Sequence, residues 1–342
     1  MTSSSAVKPL AVSVGDPAGI GPELVVRSWL RRGEGLAPFA VVGGAGVLEA
    51  SAASMSVDCP VVRIDTVAEA DEVFAAALPV LDNADADYTP GAPSPEGARL
   101  ALQSLERAVD LARRSEAGGV MTAPIAKALL ADVGFAHPGQ TEFCAATCGV
   151  AEADTVMMLA GPSLRTVPVT IHCALAEVPQ RLSADLIVSR ARITAAALAG
   201  DFGIARPRLA VTGLNPHAGE NGRMGREEIE VIAPAITALR AEGIEASGPH
   251  PADAIFTPRA RDGYDAAICM YHDQALVPLK ALDFDAGVNV TLGLPIVRTS
   301  PDHGTGFDIA GKGIAGEGAT MAALRLAGEI AARRAHALSR SA

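Results

Sequence analysis

The sequence predicts an α/β fold built as two α/β/α domains, and three observations predict it. Strand-like and helix-like stretches alternate from end to end, the pattern of largely parallel sheets covered by helices. The chain has 342 residues, enough for two cores of ordinary size. Hydrophobic residues make up 49% and aromatics only 4%, so Ala, Val, Leu and Ile must fill those cores between tight glycine and proline turns.

The elements follow in order. PLAVSV reads as a first strand, GDPAGI as a loop, and GPELVVRSWL as a helix whose Pro22 suits a first turn. FAVVGG and the helical VLEASAAS make a second unit. The segment from Asp82 to Gly97, rich in Asp, Pro and Gly, reads as a surface loop. It leads into a helix with Ser94 as cap, Pro95 at the start and apolar residues at helical spacing through ALQSLERAVDLARR. GGVMTA is the next strand, and beyond GQTEF the runs VMMLAG and LRTVPVTI read as a hairpin. Amphipathic helices are expected near 183–200 and 225–242. A final helix from Gly318 to Leu338 is expected to return to the first domain. The first domain is then discontinuous, residues 1–130 with 300–342, and the second spans 131–299, with an active-site cleft between the two.

A formal net charge of -11 leaves no basic stripe to displace counterions from phosphates, which argues against nucleic acid as a partner. An acidic protein that binds an anion must do so in a local basic pocket. Five cysteines cannot pair completely, so a reducing, cytoplasmic setting is expected. Cys144 and Cys148 read as core packing on one helix. Cys173, beside His172, could line the same site, but its side chain is expected to point the other way if that segment is extended. MTSSSAVKPLAV lacks the features of a secretory leader, and no run approaches the roughly 18 apolar residues of a membrane span, so no membrane partner is expected.

Three histidines each follow an apolar, strand-like run: His172 after VPVTI, His217 after LAVTGLNP and His272 after AAICMY. In open α/β sheets ligands collect outside the carboxyl ends of strands, so these imidazoles are expected to meet. Three neutral imidazoles with an open position suit a catalytic divalent cation. Any one of them alone is more often an ordinary polar residue at a strand end; the threefold repeat is what favours the metal. Asp253, in PADAIF, is a candidate for orienting a histidine or relaying a proton, with a cap of a turn as the equal alternative.

Lys280, Asn289 and Arg298 recur at nine-residue intervals in strand-like apolar sequence, where unpaired charge is costly, so an anionic ligand is expected there. GDPAGIGPE follows a strand and opens a helix but lacks the spacing of a dinucleotide-binding fingerprint, leaving a tight turn and a helix N-terminus facing an anion. HGTGFDIAGKGIA, from His303 to Ala315, has glycines that let backbone wrap a flat ligand and Asp308 to accept hydrogen bonds. A flexible interdomain loop is its alternative.

Taken together, GDPAGIGPE, GQTEF, NPHAGENGRMGREE, PADAIF, MYHDQALVPLK and GVNVTLGLPIVRTSPDHGT resemble the 4-hydroxythreonine-4-phosphate dehydrogenases of vitamin B6 biosynthesis, over nearly the whole chain. The resemblance implies the fold of isocitrate and isopropylmalate dehydrogenases. It implies NAD- or NADP-dependent oxidation of 4-phosphooxy-L-threonine, with one divalent ion (Zn, Mg, Mn or Co) per subunit, and loss of carbon dioxide to give 3-amino-2-oxopropyl phosphate. It places metal ligands on His172, His217 and His272, and substrate-binding residues on Gln140, Thr141, Lys280, Asn289 and Arg298. Cofactor contacts fall on His303, Gly304, Asp308 and Gly311 in what looks like an adenosine-binding loop. It also implies a homodimer with shared active sites. Gln140 is a departure, because many members have histidine there, and it bears on substrate preference. A related phosphorylated hydroxy acid, phosphothreonate, is the alternative substrate. A metal-dependent non-redox lyase or hydrolase and a non-catalytic phospho-ligand sensor are the alternative classes.

Overall fold

The computed structural model describes residues 7–81 and 84–341. The leader-free reading of residues 1–6, and residues 82 and 83 of the expected loop, lie outside the described residues. The chain divides into two compact units, one running up to Glu152 and resuming at Leu294, the other spanning Ala153–Gly293.

The first unit contains β1 (Leu10–Ser13), β2 (Phe39–Val42), β3 (Val61–Ile64), β4 (Leu78–Leu81), β5 (Val120–Thr122) and β12 (Arg298–Pro301). They lie in the order β3-β4-β2-β1-β5-β12, every pair parallel. β1, β2 and β4 are buried at every residue, which is why they read as unbroken apolar runs rather than alternating ones. The edge strand β3 instead exposes Val62 and Arg63. Helix Pro95–Arg113 starts where its cap predicts, with Ser94 Oγ accepting from the Gly97 amide at 3.1 Å. Its Ala98, Ala101, Leu105, Ala108 and Ala112 form one buried stripe at helical spacing. Helix Gly318–Ser341 packs on β12 and runs past the expected end at Leu338.

The domain boundaries need correction. Helix Gln140–Cys148 buries Phe143, Cys144 and Ala145 in the same core as Leu105 and Leu111, so residues 131–152 go with the first unit. Leu294 and Ile296 join that core and Arg298 pairs with β5, which moves 294–299 as well. Burial against a distant helix, not local periodicity, sets both limits.

The second unit contains β6 (Val156–Ala160), β7 (Arg165–Thr170), β8 (Arg208–Thr212), β9 (Glu245–His250), β10 (Ala266–Tyr271) and β11 (Val288–Leu292), in the order β11-β6-β7-β10-β8-β9. β6 runs antiparallel to both β11 and β7, the latter being the expected hairpin, while β7, β10, β8 and β9 are parallel. Leu159, Leu164, Ala210, Ile255, Ala267, Cys269 and Leu279 fill its core. Ser183 caps helix Ala184–Gly200 through the Leu186 amide. The helix expected near 225–242 begins instead as a π turn, Glu228–Ile232, before the α-helix Ala233–Ala241. Pro234 has no N–H for a regular i→i−4 bond, which accounts for the looser turn ahead of it. Among the described residues no helix is long and apolar enough to cross a membrane, and all five cysteines are unpaired.

Candidate active site

β7, β10 and β8 are neighbouring parallel strands, and within five residues of each C-terminal end stands one of the three candidate ligands, His172, His272 and His217. The backbone delivers them differently. His272 follows β10 directly as the first residue of helix His272–Asp283. His172 has φ +50, and His217, at φ +51, is the first of six consecutive residues with positive φ, ending at Gly222. For non-glycine residues that region costs roughly 1–2 kcal/mol each and must be held by contacts.

His172 and His272 are brought together. Their ring centroids lie 6.1 Å apart, and both line a cavity of 340 Å³ with Thr170, Cys173, Tyr271 and Asp273. The Nδ1–H of His272 donates to Asp273 Oδ1 at 2.7 Å, which leaves Nε2 as the lone-pair nitrogen. His217 is exposed and is not gathered with them; among the described residues no three His, Cys, Asp or Glu side chains cluster as a metal site. The donor chemistry nonetheless fits a borderline divalent cation, with two imidazoles on one cavity, one already oriented through its far nitrogen, and a third on the adjacent strand end.

Two expectations are corrected here. Cys173 lines the same cavity as His172, because the positive φ at His172 breaks the alternation that an extended segment would impose. Asp253 lies exposed in the first turn of the short helix Ala252–Ile255, with no histidine hydrogen-bonded to it among the described residues; the carboxylate that orients a histidine is Asp273. β9 also ends in a histidine, His250, whose Nε2 pairs with Ser247 Oγ at 2.8 Å and whose pKa is lowered by burial. It is the ordinary strand-end histidine that the other three were weighed against.

Of the anion-binding candidates, Lys280 and Asn289 belong to the second unit and Arg298, Gln140 and Thr141 to the first. Lys280 is half-buried in the last turn of helix His272–Asp283, not in a strand as its apolar neighbours led one to expect; those neighbours are the helix's core face, with Ala275 and Leu279 fully buried. Asn289 sits on β11 with its Oδ1 buried and lacking a hydrogen-bond partner, a vacancy suited to a polar ligand. Arg298 is 4% exposed, and burial lowers its pKa from the ordinary value. Its Nη2 donates to Thr122 Oγ1 and to Gln140 Oε1, each at 2.8 Å, while Gln140 Nε2 donates to the Ala123 carbonyl at 3.1 Å. Thr141 follows Gln140 as the second residue of helix Gln140–Cys148.

GDPAGIGPE and the His303–Ala315 loop are packed together in the first unit. The Ile20 amide donates to the Thr305 carbonyl at 2.8 Å, and a Cβ on Gly19 would stand 2.7 Å from that oxygen. Glu23, fully buried, accepts from the Gly311 amide, and Arg27 Nη1 donates to the carbonyls of Gly313 and Ala315. Asp16 accepts from the Ala18 amide at 3.0 Å, and burial raises its pKa. Gly311 has φ +76, Gly304 has open space where a Cβ would stand, and Asp308 is exposed. The Nε2 of His303 is buried with no hydrogen-bond partner, an orphan that a ligand group would satisfy, so the loop fits a bound cofactor. Sequence reasoning missed Glu23 and Arg27 as the braces of this loop, because a lone acid and a lone base in a first helix carry no signal until their distant partners are known.

The chain matches the family described as pyridoxal phosphate biosynthetic protein PdxA over residues 36–327. A protein of Erythrobacter litoralis named 4-hydroxythreonine-4-phosphate dehydrogenase is 66% identical, over 96% of this chain and 98% of its own. One of the same name from Zymomonas mobilis is 52% identical, over 96% and 97%. The crystal structure of 4-hydroxythreonine-4-phosphate dehydrogenase from Klebsiella pneumoniae is similar to this chain with a TM-score of 0.84 at 37% identity, over 96% and 99%.

Proposed function

Because the chain belongs to the PdxA family of pyridoxal phosphate biosynthetic proteins, we propose that it is a 4-hydroxythreonine-4-phosphate dehydrogenase, oxidising 4-phosphooxy-L-threonine with NAD or NADP and releasing carbon dioxide and 3-amino-2-oxopropyl phosphate. The observation that carries this reading is the delivery of His172, His272 and His217 from three adjacent parallel strand ends. These imidazoles would hold one divalent ion (Zn, Mg, Mn or Co), which would supply Lewis acidity toward the substrate hydroxyl. Asp273 keeps the His272 ring in the tautomer that ligation requires. Asp253, exposed in the first turn of helix Ala252–Ile255, would take the hydroxyl proton, the part of its expected role that is left once Asp273 orients the histidine. The cofactor would supply hydride acceptance, and His303, Gly304, Asp308 and Gly311 would bind it on a loop braced by Glu23 and Arg27.

Arg298 and Thr141 on the first unit, and Lys280 and Asn289 on the second, are the residues proposed for binding the phosphorylated substrate, and Gln140 holds the Arg298 fork from the side. Replacing Gln140 by Glu puts a carboxylate against the guanidinium and an oxygen against the Ala123 carbonyl. Gln140→Glu is expected to raise KM for the phosphorylated substrate about tenfold, the equivalent of about 1.4 kcal/mol, with KM for NAD unchanged. Equal shifts in both constants would remove Gln140 from the substrate side.

The working unit in this reading is a cytoplasmic homodimer with shared sites. Val277 (63% exposed) and Leu282 (43%) lie on the helix that carries His272 and Lys280, and Phe284 (72%) follows it, an apolar surface suited to a second copy. The test of the whole reading is NADH absorbance on mixing enzyme, divalent metal, NAD and 4-phosphooxy-L-threonine. Metal-dependent product without NADH would identify a lyase or hydrolase, and a preference for phosphothreonate would move the substrate to the acid lacking the amino group.

A further inference from the structure

We infer that Glu228, a residue outside the histidine and phosphate sets, is the positioning residue for His217. This rests on the reading of His217 as a metal ligand. Glu228 is 3% exposed and opens the π turn behind the His217 loop. Its Oε1 accepts from the backbone amides of Leu214 and Asn215 at 2.8 and 2.7 Å, and its Oε2 accepts from Asn215 Nδ2 at 3.1 Å. The other hydrogen of that amide is committed to Glu227 Oε2 at 2.7 Å. One buried carboxylate thus fixes the chain on the two residues that lead into Pro216 and His217.

The segment needs such a brace. His217, Ala218, Glu220 and Asn221 hold φ between +44 and +57, which L-residues adopt only when their surroundings over-determine it. The same carboxylate crowds the two glycines beside it. A Cβ on Gly219 would stand 2.4 Å from Glu228 Oε2, and one on Gly213 would stand 3.1 Å from Oε1. Met224 N–H closes the turn on the Gly219 carbonyl at 3.1 Å, so the loop is pinned at its entrance by Glu228 and at its exit by its own backbone. A carboxylate is the group this position demands, because it faces three donors and offers none. Glutamine there would turn an NH₂ toward Asn215 Nδ2, and Asn215 cannot flip to meet it without setting its oxygen against Glu227. Groups that orient a ligand in this way are commonly worth about 10–100-fold in metal affinity.

The test is titration of Co²⁺ into the metal-stripped, full-length protein, read by calorimetry and by the visible absorption of the bound ion, for wild type, Glu228→Gln, His217→Ala and the double variant. Glu228→Gln is expected to weaken Co²⁺ binding about 10–100-fold with far-UV dichroism and NAD affinity unchanged, and to add nothing to the loss in His217→Ala. Wild-type Co²⁺ affinity in Glu228→Gln, or an undiminished further loss in the double variant, overturns the inference while the histidine reading stands. Wild-type affinity in His217→Ala overturns the histidine reading itself. Should Glu228→Gln not fold, Asn215→Ala removes the bridging amide alone; a smaller loss of Co²⁺ affinity supports the inference, and none overturns it.

Discussion

His272→Ala is expected to lower kcat/KM by roughly three orders of magnitude, since a Lewis acid supplies several kcal/mol at the transition state and each 1.36 kcal/mol is tenfold. Exhaustive chelation of the wild type should produce the same loss, and adding back Co²⁺, Zn²⁺, Mn²⁺ or Mg²⁺ should restore activity to the wild type but not to the variant. The fold should survive, because His272 is half-buried at a helix start and the core beneath it is formed by Ala267, Cys269, Ala275 and Leu279. Asp273→Asn is the graded companion. It keeps the ligand and removes the charge that holds Nδ1–H, so its loss should fall between wild type and His272→Ala and shrink at saturating metal. Full activity after chelation into metal-free buffer would rule out the cation.

Arg298→Lys is expected to raise KM for the phosphorylated substrate about 10–100-fold, the equivalent of about 1.5–3 kcal/mol for lost hydrogen bonds to a charged group, with KM for NAD unchanged. The charge is conserved but the planar fork is not. In the native geometry one end of the guanidinium, Nη2, is held by Thr122 Oγ1 and Gln140 Oε1, an arrangement a flexible ammonium cannot reproduce. The site is buried, so a measured Tm belongs beside the kinetics: a large fall in Tm with KM ratios unchanged would make Arg298 a core residue and nothing more. A rise in KM for NAD alone would reassign it to the cofactor.

Much of this was legible in the sequence, and the legible parts share a cause. Apolar runs such as LAVS and FAVV are buried strands because every residue in them is covered on both faces, and that leaves a composition rather than a pattern to be read. Ser94 and Pro95 announce a helix because capping is satisfied within four residues. The histidines stood out because a strand end is a local feature, and three of them on parallel strands share one sheet edge.

What tertiary structure alone decided is everything settled by a partner far along the chain or by the sign of a single dihedral. The unit boundary fell beyond residue 131 because Phe143 and Cys144 pack with Leu105, and no periodicity reports which core a helix will join. Cys173 joined the cavity because His172 turned to φ +50. Asp273 rather than Asp253 took the histidine because, among the described residues, it is Asp273 that is hydrogen-bonded to an imidazole. Glu228 stands in a run of charges that carries no signal of burial in the sequence. Its burial follows from three donors that the fold turns toward it from residues 214 and 215, and hydrogen-bond satisfaction at that range is written in three dimensions only.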